Sequence, residues 1–260
     1  MSDFSIIIPA RMNSTRLPRK MLLDVAGVPL IVRVAQQAAL TRAKRVVVAT
    51  DHHEIYDLCQ EQRLEVVMTS SEHQSGTDRV SEVVQQLHLA ADEIVVNLQG
   101  DEPLIDPELI NQLAAFSHSK HTAITTIAHP ISDPAEIFNP NVVKTVVDNN
   151  NLALYFSRAP IPYYRDGYAA LDNLQLPPQL KVLRHIGIYA YQVSFLNIYQ
   201  QLAVCPLEQI EALEQLRALY NGYKIAVMIS QAAPAAGVDT LADLVRVREI
   251  ILQRTSSISK

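Results

Sequence analysis

The chain is 260 residues long, 48% apolar and 19% charged, with a formal net charge of −5; this is an ordinary globular composition, able to bury a substantial core. The acidic balance argues against a protein that coats nucleic acid, and no apolar run in the sequence approaches the length of a membrane span. Only Cys59 and Cys205 occur, far apart and in no metal-type spacing, which argues against a disulfide framework or structural zinc and, with no charged-then-apolar leader, predicts a cytoplasmic protein.

The first predicted element is a short β-branched strand, Phe4–Ile8, stopped by Pro9. A polar loop follows as far as Lys20, carrying Arg11, Arg16 and Arg19 with the hydroxyls of Ser14 and Thr15. It contains neither G-x-x-x-x-G-K-[ST] nor G-x-G-x-x-G, so side chains rather than a glycine cradle are expected to hold its ligand. Strand patterns then recur at Arg45–Thr50, Glu65–Thr69 and Glu93–Leu98, separated by helical patterns at Pro29–Leu40, Glu54–Gln62 and Thr77–Leu89. This alternation predicts an α/β fold with a mostly parallel central sheet and helices on both faces. A ligand is then expected outside the strand carboxyl ends, among the loops 9–20, 51–53, 70–78 and 99–106.

The second half is less regular. Thr122–Ile131, Val142–Asp148 and Ala153–Phe156 read as strands, and a Pro- and Tyr-rich excursion follows over 157–179. Leu183–Tyr191 returns as a strand, Pro206–Asn221 reads as one amphipathic helix ended by Gly222, Lys224–Ser230 as a strand, and Thr240–Leu252 as a closing helix. No linker divides the chain, so a single domain over 1–260 is expected, with an inserted arm at about 157–182.

Several clusters suit polyphosphate chemistry. Lys20 is placed to follow charge on a leaving phosphoryl oxygen. Gln99, Asp101 and Glu102 sit where a strand ends, and a second acid, Asp239, precedes the last helix; two such carboxylates with a triphosphate between them would suit Mg²⁺. Each is also a plausible helix cap or turn former. Ser75, Gly76, Thr77 and Arg79 stand at a helix start, where N–H groups and hydroxyls could meet an anion or a base edge or simply cap the helix. Arg158 has the fork to pair with a carboxylate. His185, Tyr189, Glu211, Glu214 and Gln215 are scattered polar candidates that read equally as structural residues.

The blocks PARMNSTRLPRK, ATDH, HQSGTDR, NLQGDEP, FNPNVVK, ALYFSRAPIP, LRHIGIYAY, LEQIEALEQLR and GVDT run in order along nearly the whole chain. Together they resemble the signature blocks of the 3-deoxy-manno-octulosonate (KDO) cytidylyltransferase family, also called CMP-KDO synthetases. The resemblance implies a Rossmann-like nucleotide-diphospho-sugar transferase fold and transfer of CMP from CTP to the anomeric hydroxyl of KDO, for lipopolysaccharide assembly. It implies that Pro9, Ala10, Arg11, Lys20, Ser75, Arg79 and Gln99 contact the nucleotide, with Lys20, Arg11 and Asp101 catalytic. Gln99, Arg158, His185, Tyr189, Glu214 and Gln215 would line the sugar-acid pocket, and Asp101 and Asp239 would hold Mg²⁺. It further implies a homodimer with the arm near the subunit contact. A sialic-acid-like sugar or an 8-amino KDO analogue is the alternative acceptor. The chain departs from the family where R-L-P-G-K-P is usual: Arg19 and Met21 stand in place of the glycine and the second proline. Arginine tolerates a left-handed backbone poorly, so residue 19 is expected either to avoid that conformation or to change how the loop closes.

Overall fold

A computed structural model describes residues 3–14, 16–73, 75–120, 122–168, 175–231 and 237–258. Thr15 lies outside the described residues, as does the stretch 169–174 of the arm. The first strand, β1 (Phe4–Ala10), is buried along its whole length, because strands flank both its edges and helices cover both its faces. After it come a 3₁₀ turn (Lys20–Leu22), a small hairpin of β2 (Asp24–Val25) and β3 (Val28–Pro29), α1 (Leu30–Ala38), β4 (Arg45–Thr50), α2 (His53–Glu61) and β5 (Glu65–Met68). The chain continues through α3 (Gly76–Gln86), β6 (Ile94–Asn97), α4 (Pro107–Ser119), β7 (Ile124–Pro130), α5 (Ala135–Phe138), β8 (Lys144–Val147) and β9 (Ala153–Ser157). It closes with β10 (Leu183–Gln192), α6 (Val193–Tyr199), α7 (Pro206–Glu211), α8 (Gln215–Tyr220), β11 (Ile225–Ile229) and α9 (Leu241–Ile258).

The main sheet runs β11-β7-β10-β6-β1-β4-β5, with β8 pairing both β10 and β9 off that path. β1 pairs in parallel with β4 and β6, β4 with β5, and β7 with β11. β10 lies antiparallel between β6 and β7 and also against β8, which is itself antiparallel to β9, so the sheet is mixed. Alternation along β1 explains the two cores. Ile6 and Ile8 join a cluster with α1, α2, α4 and α9, whereas Ile7 joins one with α3, α6 and α8, as the period of two demands. Among the described residues no helix is long and apolar enough to cross a membrane.

Two readings of the second half need correction. The single helix over Pro206–Asn221 is two, broken at Ala212 in a left-handed conformation with φ 50°. The apolar stripe read there is only partly buried: Leu213 and Leu216 are inside, but Ile210 is 81% exposed. The break has a tertiary cause. The Arg158 guanidinium takes the carbonyls of Glu211 and Ala212 at 2.7 and 3.5 Å, and the chain beyond turns Glu214 toward the start of α3. The arm, over 159–168 and 175–182, has no regular secondary structure. It packs Tyr168 into a small cluster with Ile131, Ile137 and Val182.

Candidate active site

The first-loop cations meet the two aspartates at the carboxyl edge of the sheet. Pro9 and Ala10 end β1, and Arg19, just before the 3₁₀ turn, has a φ of 57° and ψ of 27°, which are left-handed. Residue 19 therefore keeps the conformation that glycine would favour. A left-handed arginine is strained by about 1–2 kcal/mol; its guanidinium, pairing with both carboxylate oxygens of Glu54 in the first turn of α2, offsets part of that. Met21 is buried against the β6 loop, where a Cβ on Gly100 would sit 3.1 Å from its sulfur and 2.9 Å from the Pro9 carbonyl oxygen. Glycine at 100 is thus required for the loop carrying Asp101 to lie against the end of β1.

Asp239 reaches the same spot from the far end of the sequence. The Val238 N–H donates to the Asp101 carbonyl at 2.8 Å, and a Cβ on Gly237 would come within 3.0 Å of Glu102 Oε1. Lys20 Nζ then lies 2.6 Å from Asp101 Oδ2 and 3.1 Å from Asp239 Oδ1, and Arg16 pairs with Asp239 at 3.1 Å. Burial works against the Lys20 ammonium, but attraction and hydrogen bonds from Asp101 and Asp239 outweigh it and raise its pKa. Burial first, and then the charges of Asp101 and Asp239, push the Glu102 carboxyl up to about 8. The donor chemistry fits a hard divalent ion: two aspartate carboxylates from separate elements already converge on a single cation. Among the described residues no third such ligand joins them, so an ion here would complete its shell with water and substrate oxygens, the usual habit of Mg²⁺.

Two adjoining cavities open at this edge. One, of about 330 Å³, is lined by Pro9, Arg11, Arg16, Lys20, Gly76 and Asp101. The other, of about 400 Å³, is lined by Asn97, Arg158, Arg184, His185, Tyr189 and Gln215. Gln99, Glu214 and Asp239 line both and form the seam. The second cavity exists because β10 is bulged between His185 and Tyr189, with Gly187 at φ 24°. Gln99 Nε2 donates to the Gly187 carbonyl at 3.4 Å. His185 Nε2 is 2.9 Å from Thr126 Oγ1, its ring lies between Phe156 and Tyr189 at 5.0 and 5.2 Å, and burial pushes its pKa down to about 3. A neutral imidazole results.

The Glu214 carboxylate accepts from the N–H groups of Gly76 and Thr77, at 3.2 and 3.3 Å, and from the Thr77 hydroxyl at 2.9 Å. It thereby caps α3 from across the seam. Arg158 rims the second cavity while donating to the Pro140 carbonyl at 2.9 Å. Two residues expected at the nucleotide are engaged elsewhere. Arg79 is fully buried, bonded to the Thr69 hydroxyl and, at 2.6 Å, to Asp51 Oδ2; it ties the ends of β4 and β5 to α3 behind the cleft wall. Ser75 is the N-cap of α3, its hydroxyl accepting from the Asp78 N–H at 3.0 Å and donating to the Asp78 carboxylate at 2.7 Å. Sequence reasoning missed Asn97 and Arg184. Asn97 Oδ1 and Gln215 Nε2 are buried without a hydrogen-bond partner, and both residues line the second cavity. Such orphaned groups suit a hydroxyl-rich ligand.

An open, largely parallel sheet whose carboxyl edge joins a cationic cavity to a polar one defines a nucleotidyl-transfer type of α/β protein. The sequence profile of the cytidylyltransferase family matches residues 5–225. The chain is 56% identical over 251 residues to 3-deoxy-manno-octulosonate cytidylyltransferase of Herminiimonas arsenicoxydans, covering 96% of this chain and 100% of the relative. It is 54% identical over 250 residues to the protein of the same name from Neisseria gonorrhoeae (strain NCCP11945), covering 96% and 98%. A solved CMP:2-keto-3-deoxy-manno-octonic acid synthetase complexed with CTP superimposes with a TM-score of 0.87 at 40% identity, covering 97% of this chain and 100% of that one. A cytidylyltransferase from Leptospira borgpetersenii, at 16% identity and a TM-score of 0.60 over 98% and 96% of the two chains, shares the fold. The chain belongs to the cytidylyltransferase family and, within it, to the 3-deoxy-manno-octulosonate cytidylyltransferases.

Proposed function

We infer that the protein transfers CMP from CTP to the anomeric hydroxyl of KDO, giving CMP-KDO and pyrophosphate. The observation that carries this reading is the seam: Gln99, Glu214 and Asp239 border a cavity of fixed cations and one furnished for a polar acid. In the step, the sugar hydroxyl oxygen bonds to the α-phosphorus, the bond from that phosphorus to the bridging oxygen of pyrophosphate breaks, and the hydroxyl proton is released. Arg11 and Arg16 line the cavity for the triphosphate, and Lys20, held cationic by its aspartates, offsets charge as pyrophosphate departs. On the acceptor side, Arg158 and Arg184 supply positive charge for the sugar carboxylate, and Asn97 and Gln215 supply unpaired groups for its hydroxyls. Asp101 and Asp239 would hold Mg²⁺, which when bound would neutralise triphosphate oxygens.

Two further expectations belong to this reading. Buried, unpaired thiols at Cys59 and Cys205 suit a reducing cytoplasm. A homodimer is supported by apolar side chains exposed on neighbouring elements, Leu154 on β9, Ile210 on α7 and Tyr220 on α8. The deciding experiment is pyrophosphate release with CTP, Mg²⁺ and a panel of sugar acids. KDO is expected to give the highest kcat/KM; no release with KDO overturns the reading, and faster release with 8-amino KDO or a sialic acid moves the acceptor.

A further inference from the structure

We propose that Lys144, which no other part of the reaction uses, is the residue that positions Arg158 and the acceptor wall for an anionic sugar. This rests on the transfer to KDO inferred above and adds to it a specific holding element. Lys144 is the first residue of β8, paired with Ser157 of β9 on one side and Arg184 of β10 on the other. The residues next to those partners, Arg158 and His185, both line the acceptor cavity. The Lys144 side chain is fully buried. Its ammonium donates to the carbonyls of Asn139, Val142 and Arg158 at 3.1, 2.6 and 2.6 Å, which uses all three of its donors. Among the described residues no carboxylate lies within ion-pair distance of it.

The ammonium is hydrogen-bonded only to neutral carbonyls, with the Glu211 carboxylate acting on it from beyond ion-pair distance, and taking such a charge out of water costs several kcal/mol. A purely structural tie between the same segments needs no charge. What the ammonium adds is twofold. It clamps the segment 139–142, of which Asn141 and Val142 line the cavity, to the backbone of Arg158. It also sets a positive charge, weakened by burial to a pKa of about 8, behind a wall that presents Arg158 and Arg184, the arrangement that favours an anion in a low-dielectric cleft. From the other side, Glu211 accepts from the Arg158 N–H at 2.9 Å and from the Ser157 hydroxyl at 2.6 Å. Arg158 is therefore gripped at both its N–H and its carbonyl, and its guanidinium is held at the rim.

The test is Lys144→Met, which keeps the stem and removes the charge and its donors. The expected result is a KM for KDO raised about tenfold or more with the KM for CTP within about twofold. Lys144→Arg, which restores a cation, is expected to recover part of the loss. Equal effects on both substrates, or an unchanged KM for KDO, would overturn the proposal. If Lys144→Met does not fold, Glu211→Gln, at a half-exposed site, carries the same test by loosening the opposite grip, with the same split expected and the same results counting against it. Wild-type protein that releases no pyrophosphate with KDO refutes the inferred reaction itself, so the two failures are distinguishable.

Discussion

Replacing Lys20 by methionine keeps the buried stem and removes the ammonium from between Asp101 and Asp239. Breaking a fully buried pair typically costs about 3–5 kcal/mol, but the Asp101 and Asp239 side chains are 26% and 45% exposed. Water therefore takes up part of the loss, and about 1–2 kcal/mol of stability is expected to go, or roughly 2–8 °C in Tm. The catalytic effect is expected to be larger: with Lys20 in the role proposed for it, losing a preorganised charge at the departing oxygen should lower kcat by about 10²–10³, with less change in the KM for CTP. A second readout separates this arrangement from a generic loss of packing. Were a divalent ion to bind Asp101 and Asp239, the ammonium would compete with it for the two carboxylates in the wild type and not in Lys20→Met. Adding Mg²⁺ should therefore raise Tm more in the variant than in the wild type, as followed by calorimetry alongside pyrophosphate release. Turnover within about threefold of wild type, or an equal response to Mg²⁺, would refute the reasoning.

Gly100→Ala forces a Cβ to 2.9 Å from the Pro9 carbonyl, so it should cost about 1–3 kcal/mol and displace Asp101; wild-type Tm and turnover together would contradict the close approach. Arg19→Gly relieves left-handed strain but forgoes a solvent-exposed pair, which contributes little, and adds chain entropy to the unfolded state. Its Tm, by calorimetry, should move by no more than about 3 °C and its turnover little; a fall of about 8 °C or more would show that the Glu54 pair matters far more than its exposure suggests. For His185, the folded pKa of about 3 lies below the ordinary 6.5, so the unfolded chain takes the proton first as pH falls. Its contribution to stability is complete above 6.5 and declines as pH drops from there toward about 3. His185→Phe should flatten the slope of stability between about pH 6.5 and 5 in urea titrations; an unchanged slope would show that burial is not what depresses the group.

The first half of the chain was readable because its strands and helices are punctuated: β1, β4, β5 and β6 are β-branched runs bounded by polar turns, and the helices between them keep a 3.6-residue stripe. Asp101 and Asp239 were each visible as an acid at an element boundary. Their meeting on Lys20 was not, since it depends on a backbone bond between residues more than a hundred positions apart. The periodicity over Pro206–Asn221 misled because it does not register the carbonyls that Arg158 withdraws at the break. α6 follows β10 with no intervening turn signal. The antiparallel entry of β10 carries no local signature either. Arg79 illustrates a limit of composition: a cation at a helix start reads the same whether it faces a phosphate or, as here, Asp51.

The Val238–Asp101 backbone bond ties the end of the chain to its middle, and this has a consequence for order of synthesis. Every lining residue of the two cavities except Asp239 precedes Tyr220 in the sequence, as does the first loop. The second aspartate emerges later, just ahead of α9, and only its docking gives Lys20 its second partner. A nascent or clipped chain ending at Gln231 would thus carry most of the residues of both cavities while lacking one of the two carboxylates that meet on Lys20. Loss of turnover would then report damage near the chain's end before loss of ligand binding did.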